Sequence, residues 1–426
     1  MRRGLGMFVA LISLPAMAHA ATALSWERCV AEVTDNNVEM KAARNSVQSS
    51  EYLIQSAGSG YYPQVSGNLA YSYGNSTLSS GSSSLDSSNS SATGTYSASL
   101  ALTQNLFAGF QDKARVEQAT ANTTVSRAAL ESTKARVSFD LKAAFQNLFY
   151  AQNYIKLTQD ILHRREENLR LVALRFQSGR ENKGSVLLSQ AYLAQAQLDE
   201  LQAKDAMDLS RAQLAKVLGR DRDEEIVVTG NVPVQEPDAQ LDLKALAVQT
   251  PDHLQAVAQE AAAQASLQLA RSPLYPSLNL TGQYARQGTD FFPENDRWAV
   301  GMNLSIPIYS GGKDYYNSQS AALLSAAAGY NRETIDRQLL AKLKQSYNAY
   351  LEAVQRLKVD EAFYLAATTR AQVAREKYNN GLLSFEDWDV IENDLVLREK
   401  NRLQSVRDRV IAEAAWEQVL GKGVIR

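Results

Sequence analysis

The amino-acid sequence predicts a mainly α-helical chain built from two repeats, each carrying one β-hairpin, so that a single chain has four strands. Three observations predict it. Shifted by 202 residues, the chain brings Leu102 onto Leu304, Gly109 onto Gly311, Asp112 onto Asp314, Gly179 onto Gly381 and Leu218-Gly219 onto Leu420-Gly421, without a gap. A repeat this long is a duplicated domain, not a solenoid unit of roughly 20–50 residues. Second, the 66 residues from Asp112 to Gln177 contain neither proline nor glycine, which reads as one very long helix. Third, four short runs alternate apolar with small or polar residues at period two, the mark of a two-sided sheet.

At the N-terminus, Arg2 and Arg3 precede an apolar run from Leu5 to Leu14, and Ala18-His19-Ala20 offers the small residues a signal peptidase accepts. Residues 1–20 are expected to be a signal peptide, with the mature chain starting at Ala21. Its removal takes Lys+Arg from 44 to 42 against 46 acidic residues, so the net charge moves from -2 to -4. That balance points to no nucleic-acid partner. The single cysteine, Cys29, lies too deep to be an acylated first residue and reads as a structural helix residue. No second apolar run reaches the roughly 18 residues that a spanning helix needs. An exported chain of this kind is soluble, secreted, or threaded into a membrane as strands.

The first repeat, 21–219, begins with a helix over about 35–59, and Pro63 marks the handover to strand. In Gln64 to Gly74 one face reads Val65, Gly67, Leu69, Tyr71, Tyr73 and the other Ser66, Asn68, Ala70, Ser72. The loop from Asn75 to Thr95 is almost wholly Ser, Gly, Asn and Thr, a solvent-facing connection. The partner strand sets Tyr96, Ala98, Leu100, Leu102 against Ser97, Ser99, Ala101, Thr103. Gly109 marks the strand-to-helix transition. Along the long helix, Val137, Leu141, Ala144, Leu148, Ala151, Ile155, Thr158 and Leu162 alternate steps of four and three, a coiled-coil seam. Gly179 ends that helix, and a second runs over about 185–218.

Residues 220–240, with Pro233 and Pro237, read as a linker, with a small equatorial layer expected around Ile226-Val227-Val228. The second repeat, 241–421, restates the first: a helix over about 252–272, Pro276, and strands setting Leu278, Leu280, Gly282, Tyr284 and Trp298, Val300, Met302, Leu304, Ile306 against small or polar residues. Gly311, a long helix whose seam runs Leu339, Leu343, Ser346, Tyr350, Ala353, Leu357, Asp360, Tyr364, then Gly381 and a helix over about 387–420 complete it. A tail, 422–426, follows. Small and polar residues interrupt the second seam, so its packing is expected to be looser, and Glu333, Arg337 and Lys344 mark a solvated face. End to end, helices of about 25 and 34 residues reach roughly 90 Å, close to the roughly 100 Å of the long helix. Each repeat therefore makes two antiparallel columns, one continuous and one stacked, beneath its hairpin.

Each strand is about as long as a tilted strand needs to be to cross a bilayer, and aromatics cluster at the strand ends, as in an interfacial girdle: Tyr61, Tyr62, Tyr71 and Tyr73, then Tyr275, Phe291, Phe292, Trp298 and Tyr309. A soluble sandwich with one face on a core is the plainer reading of the same alternation. If the strands lie in lipid, four cannot close a barrel, because an open edge leaves backbone groups unsatisfied at several kcal/mol each. Two chains give eight strands with a filled interior; three give twelve, with room for a pore and twelve helical columns below. The result is a tube.

This arrangement resembles the TolC-type outer membrane efflux protein family over essentially the whole mature chain. The carriers are the duplicated element order, Ala270-Arg271-Ser272-Pro273-Leu274-Tyr275-Pro276 before the third strand, Leu106-Phe107-Ala108-Gly109 and Ile308-Tyr309-Ser310-Gly311-Gly312 at the strand-to-helix transitions, and the tips Arg175-Phe176-Gln177-Ser178-Gly179 and Lys377-Tyr378-Asn379-Asn380-Gly381. The resemblance implies a homotrimer: a twelve-stranded transmembrane β-barrel in the outer membrane of a Gram-negative bacterium, joined to a trimeric α-helical barrel that reaches into the periplasm. It further implies an exit duct of a tripartite efflux pump or type I secretion system, docked to a periplasmic membrane-fusion adaptor and an inner-membrane pump or exporter. Outer membrane lipid is its surround.

The resemblance also makes the tips the periplasmic entrance, where an acidic ring narrows the tunnel and a polar latch holds it shut. Carried over, the first ring acid falls on Asp387 and the second on Val390, with Asp389 and Glu386 near enough to supply charge instead. The latch tyrosine falls on Tyr378, its acidic partner on Ser185 and its arginine on Leu383, so the latch is incomplete in this sequence. Asp387 repeated around an axis would focus a negative potential and attract cations. Helix capping is the plainer reading of Glu386, Asp387 and Asp389, because acids in a first turn complement the helix dipole.

Two rival classes fit less of the chain. An enzyme would need a catalytic constellation, yet after the signal peptide only His163 and His253 remain, far apart, and Gly311-Gly312 is not followed by a phosphate-loop Lys-Ser/Thr. No cofactor or metal site is expected. A trimeric coiled-coil surface protein or adhesin explains the seam and the serine-rich loop, but not two near-copies each with a hairpin.

Overall fold

The computed structural model describes residues 23–74, 93–221, 226–238 and 240–425. The expected signal peptide 1–20 and most of the serine-rich loop lie outside the described residues. In chain order the elements are β1 (Ala23–Ser25), α1 (Trp26–Asn36), α2 (Val38–Ala57), β2 (Gln64–Gly74), β3 (Thr93–Ala108), α3 (Gln111–Gln177), α4 (Lys183–Leu218), β4 (Val227–Thr229), α5 (Leu243–Ala247), α6 (Pro251–Arg271), β5 (Ser277–Gly288), β6 (Asn295–Ser305), α7 (Lys313–Asn379) and α8 (Phe385–Val419). The chain is mainly helical, with the four long strands in one sheet.

Each long helix, α3 or α7, has 67 residues and packs against the two shorter helices of its own half: α2 and α4 on α3, α6 and α8 on α7. Across the halves, α3 also packs against α6 and α8. The helices therefore run α2–α3–α6–α7 beside the sheet and α4–α3–α8–α7 toward the tips. On α3, Val137, Leu141, Ala144, Leu148, Ala151 and Thr158 of the expected seam are buried, while Ile155 and Leu162 are half-buried and Ile161 takes the place of Leu162. On α7 the buried positions include Leu339, Leu343, Tyr350 and Asp360, with Val354 in place of Ala353. The buried carboxylate of Asp360 accepts from Arg356 at 2.9 Å and from the Ser405 hydroxyl, which is how the seam tolerates it.

The first short helix differs from expectation. Instead of one helix over 35–59, the chain leaves helical geometry at Asn37 (φ -60°, ψ 124°). Its side chain accepts the Met40 N–H at 3.0 Å, capping α2, and donates to the Val217 carbonyl at 2.9 Å, at the end of α4. One asparagine thus serves both helices at the joint where α2 stacks on α4. Beside this joint, β1 pairs in parallel with β4, and Gln152 extends the pairing by accepting the Val228 N–H at 2.9 Å and donating to its carbonyl at 3.0 Å. Leu24, Trp26, Ile226 and Val228 pack with Leu141, Phe145 and Leu148 into the main core, and Cys29 is buried there. Burial, with Glu32 nearby, pushes the Cys29 thiol up to about 11, so it stays an unreactive thiol.

The sheet runs β2-β3-β5-β6, antiparallel throughout, with β2 and β6 each leaving one edge free. Its register collects the apolar residues on one face: Val65 opposite Leu102, then Gly282 and Val300; Gly67 opposite Leu100, then Tyr284 and Trp298. The other face carries rows such as Asn68, Ser99, Ala285 and Arg297. β3 is longer than its alternation suggests, because a bulge between Asn105 and Phe107 shifts the register and puts Phe107 opposite Leu278.

The helix-to-strand handovers are extended at Tyr62 (ψ 151°) and Tyr275 (ψ 154°), as Pro63 and Pro276 require of the residue before them. The strand-to-helix turns use two successive left-handed residues, Gly109 (φ 60°) with Phe110 (φ 66°), and Gly311 (φ 69°) with Gly312 (φ 85°). A Cβ on Gly109 would sit 2.4 Å from the Ser272 carbonyl oxygen, whereas Gly311 faces open space. Gly109→Ala should therefore destabilise by about 2–4 kcal/mol and Gly311→Ala by only the backbone cost of about 1–2 kcal/mol. Thermal midpoints of the two purified variants measure the difference, and equal losses would show that the close approach to Ser272 is immaterial.

Candidate functional site at the helical tips

Both tips are built alike. α3 ends with the Gly179 N–H on the Phe176 carbonyl (2.9 Å) and the Arg180 N–H on the Arg175 carbonyl (2.8 Å); α7 ends with Gly381 on Tyr378 (3.0 Å) and Leu382 on Lys377 (2.8 Å). Gly179 and Gly381 both have φ 74°, the left-handed residue such a helix end requires. The returning helices are capped by Asn182, whose side chain accepts the Ser185 N–H at 2.9 Å, and by Ser384, whose hydroxyl oxygen accepts the Asp387 N–H at 3.1 Å.

The three candidate acids occupy different environments. Glu386 and Asp387 are exposed. The Asp387 carboxylate accepts from the Ser384 hydroxyl at 2.9 Å, so it closes a reciprocal cap with the residue that caps its own N–H. Asp389 is half-buried and turned into the helix seam: it accepts from Asn393 at 3.0 Å and from Tyr192, with Arg165 beside it. Burial raises its carboxyl above the usual aspartate value, and Tyr192, Arg165 and Asn393 oppose that rise. The Arg165 guanidinium donates to Asn393 at 2.6 Å and lies over the Tyr192 ring at 4.8 Å, while buried Glu392 accepts from Arg375 at 3.0 Å. One polar cluster thus ties α3, α4, α7 and α8 together just above the tips.

Tyr378 is completely buried. Its ring stacks on Trp388 at 4.3 Å with 6° between planes, and the Arg175 guanidinium covers it at 4.4 Å from the ring centre. Arg175 also donates to the Tyr378 carbonyl at 2.7 Å, and the Tyr378 hydroxyl donates to Glu181 at 3.3 Å. Burial, reinforced by Glu181, holds that hydroxyl well above the usual tyrosine value, so it remains a donor. The geometry departs from the residue-by-residue expectation. Ser185 is buried in the first turn of α4, where its carbonyl accepts from Ser189 at 2.9 Å, and Glu181 rather than Ser185 meets Tyr378. The arginine comes from the end of α3 instead of position 383, where Leu383 packs against the Tyr378–Phe385–Trp388 cluster. Glu181, Trp388, Arg165 and Tyr192 lie outside the tip motifs that the sequence marks, whereas Arg175 stands in one of them and falls on Lys377 at the repeat shift; its place over Tyr378 is what the fold adds.

Among the described residues, no group of three or more His, Cys, Asp or Glu is placed to hold a metal ion. His253 pairs with Asp336 at 2.6 Å and His163 lies 3.3 Å from Glu167, each on a helix. The arrangement holds the helix ends together.

Comparison with known proteins agrees with this architecture. The outer membrane efflux protein family matches residues 30–220 and 243–422. Nodulation protein T of Rhizobium leguminosarum bv. trifolii is 25% identical over 338 residues, 76% of this chain and 68% of that one. The alkaline protease secretion protein AprF of Pseudomonas aeruginosa is 22% identical over 300 residues, 66% of this chain and 61% of its own. The solved structure of the Campylobacter jejuni CmeC outer membrane channel superposes with a TM-score of 0.83 at 16% identity, covering 93% of this chain and 85% of that one. The chain belongs to the outer membrane efflux protein family, and it is an exit duct of the outer membrane.

Proposed function

We propose that three copies of this chain close into one tube, a twelve-stranded barrel through the outer membrane continued by helices into the periplasm, which conducts cargo passively and is gated at the tips. The observation that carries the reading is unequal burial of two equivalent helices: of 67 residues each, α3 buries 20 and α7 buries 9. α3 has neighbours on both sides within the chain, whereas α7 lies at an edge. By the repeat, the missing neighbours of α7 are α2 and α4 of the next copy. The sheet supports the same conclusion, because β2 and β6 have free edges and Leu69 and Trp298 stand 87% and 75% exposed on the apolar face. Lipid covers such a face, but only closure satisfies the edges. Twelve strands leave a lumen, whereas eight fill with side chains.

In this reading residues 1–20 direct export, 21–219 and 241–421 form the two repeats, and 220–240 wraps the equator between them. A periplasmic adaptor and an inner-membrane pump or exporter supply the cargo. The family description supports efflux, and the name of AprF shows a related chain used in protein secretion. The purified protein, sized by native mass and recorded in planar bilayers, tests the proposal. A conducting three-chain particle is expected; a non-conducting one would be the surface stalk or adhesin, and a particle of one or two chains would refute the twelve-stranded barrel.

Asp387, exposed in the first turn of α8, is the acid this reading assigns to the entrance. Asp387→Asn should lower the cation-to-anion permeability ratio by roughly twofold, and by more at low salt, since screening over about 8 Å at physiological ionic strength weakens such a ring. Asparagine still accepts from Ser384, so the helix cap survives. Unchanged selectivity would leave Asp387 a cap and nothing more.

A further inference from the structure

We infer that Arg297 lines the lumen of the barrel near its outer end, and that three copies of it form a cationic ring that takes anionic solutes bearing phosphate, carboxylate or sulfonate groups. The inference rests on the three-copy reading and adds to it a residue that sorts solutes by charge at the exit.

The four long strands carry three charged side chains, Arg286, Asp296 and Arg297. Two of them cancel. Arg286 and Asp296 stand opposite each other in the register and pair at 2.7 Å, and the same guanidinium nitrogen donates to the Tyr284 hydroxyl at 3.1 Å. Both lie two residues along their strands from Tyr284 and Trp298, hence on the apolar face that lipid covers. Arg297 has the opposite parity. It continues the row Asn68, Ser99, Ala285 on the inner face, whose other residues are Ser, Thr, Asn, Gln, Ala and Gly. Arg297 is exposed, and it makes no ion pair among the described residues.

The strand β6 starts at Asn295 and leads toward α7, so Arg297 sits at the hairpin end of the barrel, away from the helices. The turn acids Asp290 and Glu294 lie beyond the last pair, Gln287 with Asn295, where bulk solvent screens them. At the repeat shift Arg297 falls on Thr95, which stands opposite Ser72, so each chain supplies one cation and the ring has three. Twelve strands spaced about 4.8 Å apart and tilted about 40° set the backbone about 12 Å from the axis. An arginine reaching inward brings its charge to within the screening length of about 10 Å at 0.1 M salt, which grows to about 30 Å at 0.01 M and shrinks to about 3 Å at 1 M. The ring therefore governs the whole cross-section in dilute salt and only its own rim in concentrated salt. Its guanidinium forks match phosphate and carboxylate oxygens and stay charged at any working pH.

The test records the full mature protein in planar bilayers with and without Arg297→Gln, both in a Tyr378→Ala background so that the tips do not limit the current. At about 10 mM KCl the substitution should lower the anion-to-cation permeability ratio roughly threefold or more, and at about 1 M the two proteins should agree. Inorganic triphosphate, added on the side opposite to protein insertion, should block the parent at concentrations roughly tenfold below those that block the glutamine variant. Arg297→Lys keeps the charge and should keep the permeability ratio. Equal ratios at about 10 mM together with equal block, or a lysine variant that loses as much as glutamine, overturns the ring and spares the three-copy duct. A particle of one or two chains, or one of three chains that does not conduct, overturns both.

Discussion

Tyr378→Ala should leave the tips of the assembled duct largely open, raising its resting conductance well above that of the wild type. The substitution removes the ring stacked on Trp388 at 4.3 Å, the surface that Arg175 covers, and the hydroxyl that reaches Glu181. Truncating a fully buried aromatic costs about 3–5 kcal/mol. Spent on a closed-to-open equilibrium, that shifts populations by more than about a hundredfold. Tyr378→Phe keeps the stack and loses only a 3.3 Å hydrogen bond, worth about 1 kcal/mol or roughly a fivefold shift. Single-channel recordings should rank alanine above phenylalanine above wild type. Wild-type conductance in the alanine variant would show that this cluster does not hold the entrance closed. Because burial keeps the hydroxyl protonated, its tie to Glu181 should not weaken across physiological pH.

Lys142→Met should cost about 3–5 kcal/mol at pH 7.5, the usual penalty for leaving buried partners of an ion pair uncompensated. The Lys142 side chain is 4% exposed; its Nζ lies 2.6 Å from Glu417 and 3.9 Å from Glu413. Glu413 also accepts the Gln235 N–H at 3.1 and 3.2 Å, so this charge cluster fastens the segment between the two halves to α8. Burial raises the Glu413 carboxyl above the usual value of 4.5, and Lys142 opposes that rise. For an acid with a raised folded value, the stabilisation is complete below 4.5 and is lost as pH climbs through the folded value. Without Lys142 the folded value rises further, so the window of loss widens upward. The variant should accordingly recover part of its deficit between pH 7.5 and pH 5, while the wild type changes less. Thermal midpoints by circular dichroism at the two pH values measure this, and an equal deficit at both would assign the loss to packing.

Much of the fold was legible because its signals are local. The ends of α3 and α7 follow from Gly179 and Gly381, the strand faces from alternation at Val65–Tyr73 and Trp298–Ile306, and the helix-to-strand turns from Pro63 and Pro276. The candidate site was legible only in part. The tips themselves and Tyr378 could be placed, since glycine punctuation and the repeat mark them. Its partners could not: Arg175 lies 203 positions from Tyr378 and Glu181 lies 197 away. The family resemblance points to Ser185 and Leu383 and offers Asp389 as an entrance acid, whereas the fold turns that residue toward Tyr192 and Asn393.

By itself the sequence determined the duplication, the hairpin in each copy, the length and ends of the two long helices and the lipid-type alternation of the strands. Apart from the duplication, each of these depends on backbone periods of 3.6 and 2 and on residues that start or stop a segment, so a short window contains the whole cause. Only the tertiary structure decided that Asn37 joins α2 to α4, that β1 pairs with β4, that Glu181 and Arg175 clasp Tyr378, and that α3 is enclosed while α7 is left at an edge. Those outcomes depend on which helix face meets which neighbour across some 200 residues of chain, and two repeats with nearly the same pattern acquire different neighbours because one lies inside the chain and the other at its border.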